Sequence, residues 1–316
     1  MNCLCCGKPI LTDDKSLSWH KSCIKRFFGT KELPEIDIDD QTLEEIASKN
    51  THMGFTIPGV QKKLSLHLFS KNNQNRLTLV HYPTGYILKP QVSDFTALPE
   101  AEHLVMSMAN IAGISTVPHA LLFKNNNYAY ITKRVDRIFE KDNIKMLAME
   151  DFCQLDLRLT QDKYKGSYER CAKIIQKYSS QKKLDLTELF IRLVFCYIVG
   201  NSDMHLKNFS LIETSEGSSQ YILSPAHDLL PVNVIMPEDT EQFALTMNGR
   251  KIKLRKKDFI LFAEKCDISK ISAEKMIKKL VLLEPKLITM CQESLLPEDL
   301  KESFITLIQE RIQIFK

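Results

Sequence analysis

The sequence predicts an α+β protein. Along the chain, a cysteine-rich segment comes first, a small strand-rich part follows, and a larger helical part comes last. Three observations support this class. Four cysteines cluster before residue 28, short alternating apolar runs fill residues 51–135, and apolar residues recur at spacings of three and four from Met146 onward.

Length and composition limit the possible functions. The 316 residues suffice for one or two domains with a large core, and 44% hydrophobic with 26% charged residues is typical of globular proteins. A net charge of +4 is far from that of a dedicated nucleic-acid binder, although it slightly favours phosphate-bearing ligands. We see neither an apolar run of membrane-spanning length nor a signal peptide, so we expect a cytoplasmic protein without a membrane partner.

The first 28 residues carry a metal-ligand pattern. Cys3 and Cys6 form one close pair, and His20 and Cys23 form a second pair after thirteen intervening residues. Two such pairs can wrap a tetrahedral zinc ion, and four protein ligands would make the site structural. The pattern is similar to half of a LIM-type finger, although Cys5 could substitute for a neighbour. A loose tail with reactive thiols is the alternative.

Residues 29–50 are acidic and are predicted to form a connector with a short helix. Residues 51–135 follow as the strand-rich part, with alternation in the runs KLSLHLF, RLTLVHY, GYILKP and LLFKNNNYAYITKRV. One helical segment, PEAEHLVMSMANIAG, interrupts the strands and ends at Gly113, which is a suitable helix C-cap.

Residues 136–316 are predicted to be mainly helical. The segments with helical apolar spacing are EDFCQLDLRL, YERCAKIIQKYS, LTELFIRLVFCYIV, KDFILFAEKC and LKESFITLIQERIQIF. In the first of them, Asp151 and Gln154 are more consistent with helix capping than with catalysis.

The stretch GNSDMHLKNFS, residues 200–210, places many polar groups directly after an apolar helix. Asp203 and Asn208 are separated by the D-x-x-x-x-N spacing of a protein-kinase catalytic loop. In such a loop the aspartate can accept a hydroxyl proton while the asparagine oxygen reaches a magnesium ion. The spacing alone is a weak signal, and a solvated loop at a helix end would also explain it.

Three further features point to phosphate chemistry. Asp228 follows a predicted hairpin and could supply a second oxygen ligand to magnesium. Lys89 ends a strand-like run and could contact phosphates, with Glu102 on the next helix to hold it. The turn at Pro58–Lys63 could present backbone N–H groups to phosphates. Each feature has an ordinary alternative: Asp228 could be a helix N-cap, Lys89 a solvated lysine, and residues 58–63 a simple turn.

Several of these segments together resemble the HipA-like serine/threonine kinases, the toxin halves of toxin–antitoxin pairs. The resemblance covers about residues 52–300 and rests on PGVQKKLSL, YILKP, LPEAEHLVMSMA, KRVDR, MEDFCQL, GNSDMHLKNFSL and SPAHDLLP. It implies a two-lobed, protein-kinase-like fold with a small β-rich N-lobe and a larger α-helical C-lobe, and it implies ATP and Mg²⁺ as cofactors.

The resemblance also assigns roles to residues. Asp203 would be the catalytic base, Asn208 and Asp228 would hold magnesium, and Glu102 would position Lys89. The residues that would bind ATP are Pro58, Gly59, Val60, Gln61, Lys62, Lys63, Lys89, Lys133, Arg134, Val135, His205, Lys207, Asn208 and Asp228.

Two departures from the family pattern refine these expectations. The self-phosphorylated serine of the family is replaced by Thr56 in FTIPG, so we expect self-phosphorylation there. The chain has only about fifty residues before the loop, whereas longer HipA proteins carry an extra subdomain there. It therefore resembles the short HipT-type kinases, which implies a HipS-like companion protein and a HipB-like DNA-binding antitoxin as partners.

The leading hypothesis is a kinase that phosphorylates a protein, and the resemblance suggests an aminoacyl-tRNA synthetase. A small-molecule phosphotransferase is the second reading, although its usual loop places histidine before the aspartate, whereas His205 follows Asp203 here. An inactive kinase-fold subunit of an antitoxin–DNA complex is the third. The sequence retains Lys89, Asp203, Asn208 and Asp228, which argues against an inactive protein.

Overall fold

The structure, a computed structural model, describes residues 2–11, 18–36, 63–71, 74–78, 84–140 and 143–316. The chain divides into two compact units. The first comprises Met1–His103 and Val117–Val135, and the second comprises Leu104–Thr116 and Asp136–Lys316. The four-part division at residues 28, 50 and 135 stays a prediction.

The first unit is built on a mixed sheet. Its helices and strands are α1 (Lys21–Phe28), β1 (Glu35–Ile36), β2 (Leu64–Lys71), β3 (Gln74–Thr78), β4 (Tyr86–Pro90), the start of α2 (Leu98–Ile111), β5 (His119–Lys124) and β6 (Asn127–Lys133). The six described strands lie in the order β1-β3-β2-β4-β6-β5. Strand β1 runs parallel to β3, and the other neighbours are antiparallel.

Alternation of side chains explains the sheet. Leu64 and Leu66 of β2 are buried, whereas Ser65 between them is exposed, because successive strand residues point to opposite faces. In β4 the register pairs Leu88 with Ile131 and Lys89 with Tyr130 of β6. Lys89 is therefore carried by a central strand of the sheet.

The N-terminal segment packs on the outer edge of β5. The main-chain N–H of Leu121 donates to the Leu4 carbonyl at 2.8 Å, and the indole N–H of Trp19 donates to the Leu121 carbonyl at 3.0 Å. The two bonds satisfy the main-chain N–H and carbonyl of Leu121, groups that an edge strand otherwise leaves open to pairing with another chain. The rings of Trp19 and Phe28 are 5.6 Å apart, and Phe28 lies 5.3 Å from Tyr86 of β4. The segment is thus part of the core of the first unit.

Helix α2 ends at the predicted glycine. Gly113 has φ 83°, and the N–H of Ile114 donates to the Ala109 carbonyl at 3.0 Å. A residue in the left-handed region followed by such a bond is the Schellman ending, which glycine favours because it has no Cβ.

The second unit is mainly helical. Its further elements are β7 (Arg137–Glu140), β8 (Asn143–Met146), β9 (Met149–Asp151), α3 (Phe152–Leu155), α4 (Tyr168–Tyr178), α5 (Lys182–Ile198), β10 (Ser210–Glu213), β11 (Tyr221–Leu223), α6 (Val232–Ile235), α7 (Lys256–Lys265), α8 (Lys270–Val281), α9 (Glu284–Gln292) and α10 (Glu298–Gln313). Short 3₁₀ turns occur at Thr160–Asp162 and Leu206–Asn208. Strands β9, β10 and β11 form a three-stranded antiparallel sheet with β10 in the centre, and β7 pairs with β8.

Helix α5 is the core of the second unit. Its C-terminal half is buried almost all around, with Leu189, Phe190 and Leu193 inaccessible to solvent. A helix that is apolar on every side has to be covered on every side by other elements. The polar stretch beginning at Gly200 therefore starts from a fixed position.

The α+β class and the change from strands to helices are confirmed. One segment differs from the prediction: EDFCQLDLRL is helical only over Phe152–Leu155. Asp151 accepts from the Gln154 main-chain N–H, and the Gln154 side chain accepts from the Asp151 N–H, so the expected capping pair is present. Within the described ranges, no helix is long and apolar enough to cross a membrane.

Candidate active site and candidate metal centre

The polar loop, residues 200–208, leaves α5 through a tight turn at Gly200. Gly200 has φ 67°, and a Cβ built there would lie 2.9 Å from Cδ2 of Leu307 in α10. Glycine is required twice over here, by the left-handed backbone and by the close approach of α10. The next residue, Asn201, is buried, and its side-chain oxygen accepts from the Asp203 N–H at 3.3 Å.

The carboxylate of Asp203 is held on one side by a tyrosine. The hydroxyl of Tyr164 donates to Oδ1 at 2.7 Å, and the ring of Tyr164 meets the His205 ring edge to face at 5.1 Å. Oδ2 lies 3.9 Å from Nε2 of His205, which is too long for a hydrogen bond. Oδ1 is therefore engaged, whereas Oδ2 has no hydrogen-bond partner among the residues that the structure describes.

The environment raises the pKa of Asp203 to about 7. Burial is the main cause, and the negative charges of Asp228 and Asp239 act in the same direction, whereas the Tyr164 hydrogen bond and the charge of Lys163 oppose it. A carboxylate whose pKa lies near neutral pH suits a general base, which has to accept and release a proton under working conditions.

His205 is neutral at physiological pH. Burial, together with the charge of Lys163, lowers its pKa to about 4. Its Nδ1 atom is buried and has no hydrogen-bond partner in the part of the chain that the structure describes. A buried polar atom without a partner costs free energy, and such atoms are concentrated at functional sites.

Asn208 and Asp228 supply oxygen atoms that fit a hard cation. The side-chain amide nitrogen of Asn208 donates to the Asp203 carbonyl at 2.8 Å, which directs its amide oxygen away from the loop. Asp228 lies close enough for its charge to act on both Asp203 and His205. Magnesium prefers carboxylate and amide oxygens, and a cation would relieve the repulsion among the carboxylates here. The donor set therefore fits Mg²⁺.

Helix α5 also fixes the segment that carries Asp228. The buried carboxylate of Asp185 accepts from the Leu223 N–H in β11 at 2.7 Å. The fully buried guanidinium of Arg192 donates to the Ser224 carbonyl at 3.1 Å. Asp228 itself has φ 61°, a left-handed conformation that aspartate tolerates better than most residues. The D-x-x-x-x-N loop and the hairpin aspartate thus share one scaffold.

In the first unit, Lys89 and Glu102 form a buried ion pair. The Nζ–Oε1 distance is 2.6 Å, and the two side chains are only 8% and 0% exposed. The ammonium also lies 5.4 Å from the centre of the Tyr130 ring. The lysine and the glutamate that the sequence predicts as partners are therefore in contact, and the lysine is held on the sheet.

The other predicted nucleotide contacts belong to several elements of the two units. Lys207 donates to the Asp151 carboxylate at 2.7 Å, and Lys133 ends β6, where burial lowers its pKa. The N–H of Arg134 donates to the Gly85 carbonyl at 2.9 Å, next to a half-buried Val135, and Lys63 is exposed just before β2. Thr56, Pro58, Gly59, Val60, Gln61 and Lys62 lie outside the described residues.

The four ligands predicted from the cysteine pattern are brought together. One ligand atom each from Cys3, Cys6, His20 and Cys23 lies within 4.8 Å of the others. His20 Nδ1 is 3.4 Å from Cys6 Sγ and 3.9 Å from Cys23 Sγ. Four ligands at about 2.0–2.3 Å from one zinc ion have separations of this size. We call this group the thiol cluster.

The groups around the thiol cluster are compatible with a zinc ion. Nε2 of His20 is 3.1 Å from the Pro9 carbonyl, so it carries the proton and leaves the Nδ1 lone pair for a metal. Burial and the neighbouring thiols raise the pKa of Cys23, which a cation would reverse. Arg26 donates to Cys23 Sγ at 3.7 Å and offsets the negative charge of three thiolates. Cys5 is not among the four ligands.

Sequence reasoning missed three residues of the active site. Tyr164, Lys163 and Asp239 all act on Asp203, and the Ser202 hydroxyl donates to Asp239 at 2.6 Å. Tyr164 lies 39 positions before Asp203, in a segment without regular structure apart from a short 3₁₀ turn. No periodicity or spacing links such residues to the loop, so only the fold reveals them.

The chain is similar in sequence to several proteins that are named putative kinases. The chain is 27% identical over 208 residues to the putative kinase Y4mE of Sinorhizobium fredii, covering 64% of this chain and 48% of that protein. It is 29% identical to the putative kinase Y4dM of the same organism, covering 73% and 58%. A putative kinase of Haemophilus influenzae is 25% identical over 301 residues, covering 84% and 82%. The chain thus spans about half the length of the two Sinorhizobium relatives.

Two solved structures share the fold. HipA in the complex of the Shewanella oneidensis HipA, HipB toxin–antitoxin system with its operator DNA aligns with a TM-score of 0.69 at 16% identity, covering 83% of this chain and 64% of that one. The Helicobacter pylori proinflammatory kinase CtkA aligns with a TM-score of 0.53 at 16% identity, covering 80% and 94%. At such identities the likeness concerns the fold, and it confirms the predicted HipA-like, kinase-like architecture.

The family follows from the sequence match itself. The model of the HipA-like C-terminal domain matches residues 55–285, which is more than half of the chain and includes Lys89, Glu102 and the whole polar loop. The chain belongs to the HipA-like C-terminal domain family.

Proposed function

We propose that this protein is an ATP-dependent serine/threonine protein kinase that acts as the toxin of a toxin–antitoxin system. The observation that carries the proposal is the polar loop, where Asp203 offers a free carboxylate oxygen beside Asn208 and Asp228. Family membership and the putative-kinase names of the relatives support the same reaction class.

In the proposed reaction the substrate hydroxyl attacks the γ-phosphorus of ATP. Oδ2 of Asp203 accepts the hydroxyl proton, the bond from the γ-phosphorus to the bridging oxygen breaks, and ADP leaves. Lys89, held by Glu102, contacts phosphate oxygens and offsets their charge. Lys63, Lys133, Arg134, Val135, His205 and Lys207 remain proposed nucleotide contacts, together with the turn at residues 58–62.

Asn208 and Asp228 are the proposed magnesium ligands. When bound, Mg²⁺ supplies positive charge for the phosphate oxygens. The protein contributes the orientation of both oxygen donors, because the Asn208 amide is fixed by the Asp203 carbonyl and the Asp228 segment is fixed by α5.

The substrate and partners are proposed from the family. We propose a translation component such as an aminoacyl-tRNA synthetase as the substrate, with Thr56 as a site of self-phosphorylation. The similar Shewanella structure is a HipA, HipB and operator DNA complex, which supports a HipB-like antitoxin as a partner of this chain. A HipS-like companion is proposed from the resemblance to the HipT-type kinases alone, and the proposed location is the cytoplasm.

We further propose that the thiol cluster binds one structural zinc ion. The three thiol groups and His20 fill a tetrahedral shell, and a closed shell leaves no position for a reacting water. Zinc would then hold residues 2–11 and 18–28 together as they pack on β5.

A transfer assay tests the kinase proposal. Purified protein, radiolabelled ATP, Mg²⁺ and a cell lysate are incubated with wild type, Asp203→Asn and Asp299→Asn. Asp203→Asn should lose about 10²–10⁴-fold in transfer rate, because it cannot accept the proton. Asp299, an exposed residue in the first turn of α10, provides a matched control that should retain full activity.

The label distinguishes the readings. Label on a protein that disappears in Asp203→Asn supports a protein kinase, and mass spectrometry then locates phosphate on serine or threonine and on the Thr56 peptide. Label only on small molecules supports a small-molecule phosphotransferase. No label with wild type contradicts the proposal and supports an inactive subunit.

A further inference from the structure

The hydroxyl of Tyr164 is the one side-chain group that hydrogen-bonds to the Asp203 carboxylate in the described part of the chain. We propose that Tyr164 is a positioning residue for the phosphotransfer reaction: its hydroxyl fixes the carboxylate so that Oδ2 faces the substrate hydroxyl. This inference rests on the proposed function and adds a residue that lies outside the D-x-x-x-x-N motif.

Asp203 needs such a group because only its main chain is otherwise fixed. Its N–H donates to Asn201 and its carbonyl accepts from Asn208, at 3.3 and 2.8 Å. Neither bond restrains rotation of the side chain, which is 20% exposed, and His205 Nε2 at 3.9 Å is too distant to restrain it. A carboxylate that rotates freely points its proton-accepting oxygen at the substrate for only part of the time.

Tyr164 is itself fixed well enough to act in this way. Its ring packs edge to face on the His205 ring. The carbonyl of Lys163 accepts from the Leu206 N–H at 3.1 Å, which ties the tyrosine segment to the polar loop. The carbonyl of Gly166 accepts from the Thr246 hydroxyl at 3.3 Å. The hydroxyl is thus placed by contacts on both sides of the residue.

Tyr168, the first residue of α4, provides a matched comparison because it also bonds to the polar loop. Its hydroxyl donates to the Met204 carbonyl at 3.1 Å, directly next to Asp203 in sequence, and its ring is fully buried. Replacing either tyrosine with phenylalanine removes one hydroxyl and one hydrogen bond to the loop. Only the Tyr164 bond ends on the carboxylate that accepts the proton.

The two readings of Tyr164 predict different kinetics. If Tyr164 only stabilises the loop, Tyr164→Phe and Tyr168→Phe will lower Tm, and any loss of activity will follow the loss of stability. If Tyr164 positions Asp203, Tyr164→Phe will lower kcat while the KM for ATP and Tm change little. Because Tyr164 is half-buried, phenylalanine occupies the same space without disturbing the core.

The experiment measures kcat, the KM for ATP, and Tm for wild type, Tyr164→Phe and Tyr168→Phe. We expect Tyr164→Phe to lose about 10- to 100-fold in kcat, the usual consequence of a misplaced reacting group, with KM within about twofold of wild type. We expect Tyr168→Phe to retain kcat below its own Tm.

When wild type is active, three outcomes overturn the inference. Unchanged kcat in Tyr164→Phe contradicts it, as does an equal loss in Tyr168→Phe or a loss that simply follows Tm. If wild type transfers no phosphate, the proposed function fails first and the inference fails with it. An active wild type with an equally active Tyr164→Phe removes the inference alone.

Discussion

The thiol cluster and the polar loop both gather polar side chains around one point, but they are stabilised differently. In the polar loop, main-chain and side-chain hydrogen bonds join Asn201, Asp203 and Asn208, and the buried helix α5 supports them. In the thiol cluster, three thiols and an imidazole face one another, and burial together with mutual repulsion raises the pKa of Cys23. The loop is organised by the protein's own hydrogen bonds, whereas the proposed zinc ion would organise the cluster.

This difference shows where each region is vulnerable. A region organised by the protein fails when packing or a buried hydrogen bond is lost, and a region organised by an ion fails when the ion is removed. The ion pair of Lys89 and Glu102 lies between these two cases. It is held by charge, as a metal site is, but both charges belong to the protein itself.

Removal of zinc should have the largest effect. Cys23→Ser, or chelation of wild type, should abolish binding of the proposed zinc ion and destabilise the first unit by about 4 kcal/mol or more, in the range typical of a lost metal. Elemental analysis and hydrogen exchange at residues 2–11, 18–36 and 119–124 measure this. The polar loop should keep its protection.

Cys5→Ser is the control for that prediction, since Cys5 is not one of the four ligands. It should keep zinc and protection. If Cys23→Ser retains stoichiometric zinc, or if Cys5→Ser loses it, the ligand set is wrong.

The buried pair of charges should have the next largest effect. Lys89→Met leaves the Glu102 carboxylate buried beside an apolar side chain, so the free energy of unfolding should fall by about 3–5 kcal/mol. Adding Glu102→Gln should recover much of this loss, because the uncompensated charge disappears. Urea unfolding of both single variants and the double variant measures the coupling. Additive losses would show that the pair is not coupled.

Gly200→Ala should lower the free energy of unfolding by less than Lys89→Met does. Gly217→Ala is its matched control. Both glycines have positive φ, 67° and 73°, but a Cβ at Gly217 meets nothing within 4 Å. Gly217→Ala should therefore cost about 1–2 kcal/mol from backbone strain alone. Gly200→Ala should cost about 1–3 kcal/mol more, because the new methyl group overpacks against Leu307. Equal losses in urea unfolding would mean that α10 does not constrain the turn.

The smallest effect should come from Glu100→Gln, and it depends on pH. Burial raises the pKa of Glu100, and its Oε2 is buried without a hydrogen-bond partner in the described structure. When the folded state raises the pKa of a carboxyl group, the free energy of unfolding of the protein falls as pH rises from the unfolded pKa to the folded pKa. Glu100→Gln should therefore have a higher Tm than wild type at pH 8 and the same Tm at pH 4. A Tm difference independent of pH would show that charge is not the cause.

The sequence predicts local arrangements well. The ligands of the thiol cluster lie in two short pairs, so spacing alone brings the members of each pair close, and the same holds for Asp203 with Asn208. Lys89 with Glu102 is also predicted, because a strand followed directly by a helix places both on one unit.

Contacts between distant segments are not predictable in this way. Tyr164 lies in an irregular segment far from Asp203 in sequence. Trp19 stands inside the predicted zinc motif, but its indole N–H donates to the Leu121 carbonyl. EDFCQLDLRL has helical spacing, yet β9 ends at Asp151 and the helix stops after Leu155. Tertiary contacts, such as the bond from the Phe152 N–H to the Phe209 carbonyl, decide the structure there.

The bond from Trp19 to Leu121 bears on the order of events during synthesis. Cys6 and His20 are 14 positions apart, whereas Trp19 and Leu121 are 102 apart. Closing the longer loop costs about 2 kcal/mol more in chain entropy, and it has to wait until the ribosome has made β5. A nascent chain can therefore close the thiol cluster around the proposed zinc ion first, and it then presents Trp19 to the strand that is made later.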